Sequence, residues 1–393
     1  MLRALPVYIF GWSNFYFAKL FNMKVIFDSQ IFSSQKYGGV SRYISSLASN
    51  LAMFQGVDVR IMAPFFINDY LCQLPKGIVI GRKIDKPPFL GSFLRFGNQI
   101  LGASGVRGFS PDIIHETYYS RYLNWSRNAL HAITVYDMIH ELFPDNFTGN
   151  MQIKEQKIAA IRKADRVICI SENTKNDLLK LYDIPEEKVS VVHLGFEMQI
   201  SDVKMPHKKA DSDDMKYLLY VGERHGYKNF AKFLQAYAAS SFLRENFMVV
   251  CFGGGPFKTY ENERFLELKL SSKQIKQITG GDQLLAKYYQ DAELFVFPSL
   301  YEGFGIPLLE AMSNNCPVAC SYTGSIPEVA GPAAAFFDPE DSDSIRDVLE
   351  KILQSNDLLT DLRQKGAKRI HSFSWERCAR ETLDVYEKSL RAS

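Results

Sequence analysis

The sequence predicts an α/β protein in which two successive repeats of strand and helix each build their own parallel sheet. Three observations predict it. Short apolar runs such as Leu294, Phe295, Val296 and Phe297 lack polar alternation, as strands covered on both faces do, and amphipathic stretches follow them. The chain of 393 residues is longer than one typical core organises. A polar stretch from Gln199 to Asp214, with Lys208, Lys209, Asp211, Ser212, Asp213 and Asp214, divides the alternation in two.

Composition sets the broad class. Hydrophobic residues make up 46% and charged residues 23%, as in an ordinary globular protein. A formal net charge of +2 gives no global signal for nucleic acid or membrane, so any electrostatic partner must be met by a local patch. The six cysteines form no C-x-x-C pair, and most lie in apolar runs, which reads as small buried hydrophobes in a reducing cytosol. Leu2 to Phe21 is apolar and aromatic, but Pro6, Gly11, Ser13 and Asn14 interrupt it and no small-residue cleavage site follows. It therefore matches neither a spanning helix of roughly 20 apolar residues nor a signal peptide. It reads as a misplaced start, a flexible extension or an interfacial anchor, in that order.

Met23 opens the first strand, and Gly38-Gly39 leads into a helix whose Ile44, Leu47, Ala48 and Leu51 share one face. VDVRIMAP and the run from Ile78 are further strands. Between Arg82 and Arg107, Phe89, Leu90, Phe93, Leu94, Phe96, Ile100 and Leu101 stand among cations. That mixture suits either contact with an anionic bilayer or a core helix with a solvated basic face. Ile113-Ile114 carries His115 to a strand end, and Ile133 to Val135 carries Tyr136, Asp137 and His140. With His115, Asp137 and His140 at one kind of edge, a polar pocket is expected there. A charged helix from Met151 to Ala164, a strand from Arg166 to Ile170, the cap Ser171 and a strand from Val189 to His193 complete the first repeat.

The second repeat opens with MKYLLYVGERHGYKNF, a strand, glycine turn and helix with Arg224 and Lys228 at the turn. Cations there reinforce backbone amides around an anion. FMVVCF ends in Gly253, Gly254 and Gly255, which match no G-x-G-x-x-G or P-loop pattern. IKQI and a helix from Asp282 to Ala292 lead to the stretch Glu293 to Met312. There Pro298 ends a strand, Gly303 and Gly305 permit a sharp turn, and Pro307 suits the first turn of a helix from Leu308 to Met312. Glu302 is thus expected in a loop at the carboxyl end of a strand, the rim where ligands bind in open α/β sheets. Glu310 is expected in the first helical turn. Both carboxylates can accept from sugar hydroxyls; alternatively Glu310 only favours the helix dipole and Glu302 is a solvated loop charge. CPVAC, a loop of Thr323, Gly324 and Ser325, AAAFF and a last helix in FSWERCARETLDVYEKSL close the chain.

The string Glu302-Gly303-Phe304-Gly305-Ile306-Pro307, with Glu310 following after seven residues from Glu302, resembles the signature of glycosyltransferase family 4. The resemblance runs from Met23 to Leu390. It implies a GT-B fold: an acceptor-binding Rossmann-like domain over 23–198, a nucleotide-sugar domain over 199–374 and a C-terminal helix over 375–393 crossing back to the first domain. Residues 1–22 would be an extension. The implied activity is retaining transfer of a hexose from a nucleotide diphosphate sugar to a hydroxyl, with no metal or other cofactor. On this likeness Glu310 binds the ribose and Glu302 the transferred sugar, within a donor set that includes Gly39, Gly303, Phe304, Gly305, Ile306 and Pro307. Arg224 and Lys228 meet the phosphates, with Gly324 and Ser325 near them. His115, Tyr136, Asp137 and His140 shape the acceptor side. Relatives commonly carry His where Tyr136 stands, which leaves Asp137 to orient a hydroxyl or help take its proton.

The contexts Gly39-Val40-Ser41-Arg42 and Val221-Gly222-Glu223-Arg224 look most like mannosyltransferases, so GDP-mannose is the first donor to try. The expected partners are a glycan or lipid-linked acceptor of surface polysaccharide and an anionic membrane surface, with no nucleic acid. The expected place is the cytoplasm, free or against the inner face of the membrane. A sugar-nucleotide epimerase of the same fold and a non-catalytic sugar-nucleotide sensor are the alternatives. The first needs no acceptor, and the second binds without turnover.

Overall fold

The computed structural model describes residues 22–85, 91–119, 126, 128–147, 150–197 and 215–392. The leading segment Leu2 to Phe21, the linker Gln199 to Asp214 and the side chains of Phe89, Leu90, Phe93 and Leu94 lie outside the described residues.

The apolar runs form two all-parallel sheets. The first holds β1 (Met23–Phe27), β2 (Val57–Phe66), β3 (Val79–Lys83), β4 (Ile113–Glu116), β5 (Leu130–Val135), β6 (Arg166–Cys169) and β7 (Val189–Val191), in the order β3-β2-β1-β4-β5-β6-β7. The second holds β8 (Lys216–Val221), β9 (Phe247–Phe252), β10 (Ile275–Ile278), β11 (Leu294–Phe297), β12 (Val318–Ser321) and β13 (Ala335–Phe337), in the order β10-β9-β8-β11-β12-β13. Every residue of β4, β5, β9, β11 and β12 is buried, as helices on both faces of a parallel sheet require. In each sheet the direction of winding reverses beside the first strand, between β1 and β4 and between β8 and β11. Loops leaving neighbouring strands diverge there and open a crevice at the carboxyl ends.

The helix Gly39–Leu51 buries Ile44, Leu47, Ala48 and Leu51 against the first sheet, the face its sequence predicts. The helix Gly91–Phe109 is anchored by Asn98, whose Oδ1 accepts the Phe65 amide at 2.8 Å, and by buried Val106. It leaves Phe96, Ile100 and Leu101 exposed. Among the described residues no helix is long and apolar enough to cross a membrane. All six cysteines are free, and five are buried.

The last helix, Trp375–Ala392, returns to the first sheet. Trp375 packs on Tyr43 with ring centroids 6.2 Å apart, and Arg166 donates to Ser389 at 2.7 Å. Tyr386 bonds to His115, which corrects the expectation for that histidine. β4 runs through His115, pairing it with Phe27 and Ala132. Its ring is fully buried, with Nδ1 2.5 Å from the Tyr386 hydroxyl and Nε2 2.9 Å from Thr134 Oγ1. Nδ1 is spent on the last helix and Nε2 on Thr134 of β5, so His115 has neither nitrogen to offer a ligand.

Burial pulls the His115 pKa from 6.5 down to about 3. Below pH 6.5 the unfolded chain gains a proton that the native imidazole refuses until about pH 3, so its stabilising contribution is complete above 6.5 and fades as the pH falls. The slope is about 1.4 kcal/mol per pH unit. The stability gap between wild type and His115→Gln, from urea unfolding, should therefore narrow between pH 7 and pH 4.5. A gap constant across that range would refute a neutral buried His115.

Candidate functional site

The loop between β11 and the next helix reaches across to the first sheet. The helix runs from Ile306 to Ser313, with Gly305 before it at φ 107°, a left-handed conformation that glycine adopts without strain. Gly303 is required for a different reason: a Cβ there would lie 2.0 Å from the Tyr136 carbonyl oxygen and 3.0 Å from Asp137 Cβ. The Gly303 carbonyl accepts from Ser171 Oγ at 2.8 Å and from Thr174 Oγ1 at 3.4 Å. Ser171 meanwhile caps the helix Glu172–Leu181, accepting the Thr174 amide. Phe304 is buried against Phe373 and His193, and Pro307 sits in the first turn as expected.

This close approach gathers Glu302, Lys228 and Asp137. Lys228 Nζ donates to Glu302 Oε1 at 2.7 Å, and both side chains keep partial exposure at 21% and 14%. Burial disfavours the Lys228 charge, but Glu302 and further negative neighbours including Asp137 outweigh it, so its pKa is raised and it stays an ammonium. Asp137 is about one third exposed, and its Oδ1 accepts the Ile139 amide at 3.1 Å. His140 packs on Phe147 at 4.2 Å between ring centroids in the same segment. Tyr136 turns its ring inward, donating from its hydroxyl to the Thr117 carbonyl at 3.2 Å. Only its backbone faces Gly303, which corrects its expected place on the acceptor side. Gly39 opens its helix with clear space where a side chain would stand, and Arg42, one turn on, faces the second half.

Two further expectations are revised. Glu310 is the fifth residue of its helix, not part of the first turn, and so lies away from the unpaired amides. It lines a narrow cavity of 40 Å³ between the halves with Arg42, Asp282 and Tyr289. Burial pushes its carboxyl pKa up, while Arg42 works in the opposite direction. Arg224 is buried, and its donors are taken up within the second half. Its Nε donates to Glu261 at 2.6 Å, and its terminal nitrogens donate to the carbonyls of Gly253 at 2.9 Å and Gly255 at 2.9 Å. Its guanidinium also stacks 4.9 Å from the Phe257 ring centroid. It is the pin of the Gly253-Gly254-Gly255 loop. Ser325 likewise serves the backbone, donating to the Glu302 carbonyl at 2.8 Å and the Phe304 carbonyl at 3.0 Å.

Sequence reasoning missed the residues that act at long range. Lys157, fully buried, donates to the Asp137 carbonyl at 3.0 Å and to Glu141 Oε2 at 2.8 Å. Glu328 reaches from the second half to the first, accepting the Glu172 and Asn173 amides at 2.8 and 3.3 Å and meeting His193 Nε2 at 2.6 Å. Burial opposes its charge, yet these bonds hold its pKa below the usual range. Tyr301 donates to Asp177 at 2.9 Å. The lone signal was Lys157 on an otherwise apolar face of its helix.

Residues 37–199 match the model "Glycosyltransferase Family 4", and residues 203–369 match "Glycosyl transferases group 1". The O-antigen chain mannosyltransferase B of Escherichia coli is 25% identical over 93% of this chain and 100% of its own. The serotype-specific mannosyltransferase WbdA of Escherichia coli is 29% identical over 66% of this chain, but the match spans only 33% of that longer protein. The solved structure of a glycosyltransferase from Rickettsia africae superposes with a TM-score of 0.69 at 18% identity, covering 95% of this chain and 100% of that one.

Lys157→Met should destabilise the fold by about 3–5 kcal/mol, because Glu141, only 3% exposed, keeps a buried charge without its cation. Adding Glu141→Gln should recover most of that loss in denaturant unfolding. Additive losses would show that the two side chains act independently.

Proposed function

Because the chain belongs to glycosyltransferase family 4 and has the two facing Rossmann-like sheets of the GT-B fold, we propose that it moves a hexose, mannose first, from a nucleotide diphosphate sugar to a glycan or lipid-linked hydroxyl in surface-polysaccharide assembly. One observation carries this reading: Lys228 and Glu302 meet at 2.7 Å in the β8/β11 crevice, on the loop whose Gly303 touches Tyr136 and Asp137 of the other half. The mannose preference draws on the mannosyltransferases similar to this chain.

In this reading Lys228 exchanges its bond to Glu302 for the donor diphosphate, and Glu302 is released to accept from hydroxyls of the transferred sugar. Negative charge grows on the leaving diphosphate in the transition state, where Lys228 and the amides at the start of the helix Ile306–Ser313 can stabilise it without a metal. Asp137 faces the acceptor hydroxyl, and retention places acceptor and leaving group on one face of the sugar. Glu310 and Arg42 enclose the nucleoside. Their cavity of 40 Å³ holds little more than a water, so donor entry requires the halves to part at that seam. The exposed Phe96, Ile100 and Leu101 support peripheral contact with a cytoplasmic membrane face.

Calorimetric titration with UDP-, GDP-, dTDP- and ADP-sugars should find one selective donor, GDP-mannose first, whose binding Glu310→Ala abolishes. Turnover should then require acceptor; nucleotide sugar consumed equally well without one would point to an epimerase, and binding without turnover to a sensor. Lys228→Ala should lower kcat/KM by about 2–4 kcal/mol of transition-state stabilisation, the usual worth of a preorganised electrostatic donor. An unchanged rate would remove Lys228 from the site. Addition of EDTA should leave the rate unaltered, and a loss restored by a divalent cation would overturn the metal-free mechanism.

A further inference from the structure

The rim of the second sheet carries a pocket that the reading above leaves without an occupant. A cavity of 560 Å³ opens beyond the carboxyl ends of β11, β12 and β13. That is within the range of roughly 300–1,000 Å³ usual for small-ligand sites. Tyr322 and Phe336 form one wall, edge to face at 5.3 Å between centroids, and Tyr322 is 69% exposed although it is a large aromatic side chain. Phe143 comes to the same cavity from the first half, held by Tyr227 at 5.9 Å and Tyr301 at 6.0 Å between centroids. Asp338 and Glu340 line it with carboxylates.

The pocket is joined to the Lys228 and Glu302 pair by two short paths. Leu300, which lines it, donates its amide to the Tyr227 carbonyl at 2.7 Å, one residue before Lys228 and two before Glu302 in its own loop. Tyr322 begins the loop that ends at Ser325, whose hydroxyl donates to the Glu302 carbonyl at 2.8 Å. An occupant would therefore lie beside the reacting centre and between the two halves.

The lining selects the chemistry of that occupant. Among the described residues no Lys, Arg or His lines the cavity, so two carboxylates would repel a diphosphate or a phosphorylated headgroup. A neutral pyranose offers an apolar C–H face to the aromatic rings and hydroxyl donors to the carboxylates. We propose that this pocket is a glycan subsite holding one or two neutral hexopyranose units of the acceptor chain, next to the unit that receives the transferred sugar. The inference rests on the transferase reading and adds to it a preference for oligosaccharide over monosaccharide acceptors.

The test titrates the full-length protein with α-linked trisaccharides of mannose, glucose and galactose, and separately with GDP, UDP, dTDP and ADP. Tyr322 is exposed and Glu340 lies on a surface turn, so Tyr322→Ala and Glu340→Gln should fold normally. At least one trisaccharide should bind the wild type and bind each variant roughly five- to tenfold more weakly. Nucleotide affinity should be the same in all three proteins. In turnover, Tyr322→Ala should raise KM for the trisaccharide acceptor by that factor while leaving kcat and the donor KM unchanged. Nucleotide binding with no trisaccharide bound, or variants that bind trisaccharide like the wild type, would overturn the subsite and leave the transferase reading standing. A wild type that binds none of the four nucleotides would overturn the transferase reading, and the subsite with it.

Discussion

The main-chain carbonyl of Gly303 is the point on which both halves of the molecule converge. It belongs to the second sheet's principal loop, yet Ser171 and Thr174 of the first half donate to it. Ser171 can do this and still cap its own helix because a hydroxyl both donates and accepts. The missing Cβ of Gly303 lets the loop rest on the Tyr136 carbonyl, so Glu302, one residue earlier, is presented to Asp137 by a backbone fixed on both sides. Fixing the backbone while leaving the charged side chains partly exposed is the arrangement a preorganised electrostatic site needs.

Three cation–carboxylate pairs near this point look alike in a sequence and differ in what is left over. Arg224 spends its Nε and terminal nitrogens on Glu261 and on carbonyls of the Gly253 to Pro256 loop, a buried network with nothing to exchange. Lys157 divides its donors between Glu141 and the Asp137 carbonyl and stands over the Tyr119 ring, so it fixes a backbone. Lys228 holds Glu302 by one bond of 2.7 Å in a partly open crevice, and an ammonium has two more hydrogens to give. Of the three it is the cation that can change partners at low cost, because its desolvation is incomplete.

Those distinctions explain what was legible in the sequence. The strands were, since each is an apolar run whose burial is decided by its own residues, and so was the packed face of the helix Gly39–Leu51. The Glu302 to Pro307 loop was legible because glycine and proline at fixed spacing report local backbone needs. Side-chain destinations were not. His115 reads like Asp137 at a strand end, but its strand continues through it and its partner Tyr386 lies 271 positions away. Arg224 reads like Lys228 until the glycine loop after β9 folds over it. Glu310 shifts from an amide-facing position to a seam-facing one because its helix starts at Ile306, two residues before the apolar pattern suggests.

The contacts between the halves are also unequal, and that inequality bears on motion. On one side Gly303 and Glu328 are held by several short hydrogen bonds to hydroxyls, amides and an imidazole of the first half. On the other side Arg42 looks across a narrow cavity at Glu310 and Asp282, and among the described residues no hydrogen bond joins its guanidinium to either carboxylate. Separating groups that face each other through solvent forfeits little, whereas drawing Gly303 away from Ser171 would strand a buried carbonyl and hydroxyl. The first contact therefore behaves as the fixed edge and the second as the edge that opens. Opening at Arg42 and Glu310 would leave the Gly303 anchor, and with it the backbone that carries Glu302, in place.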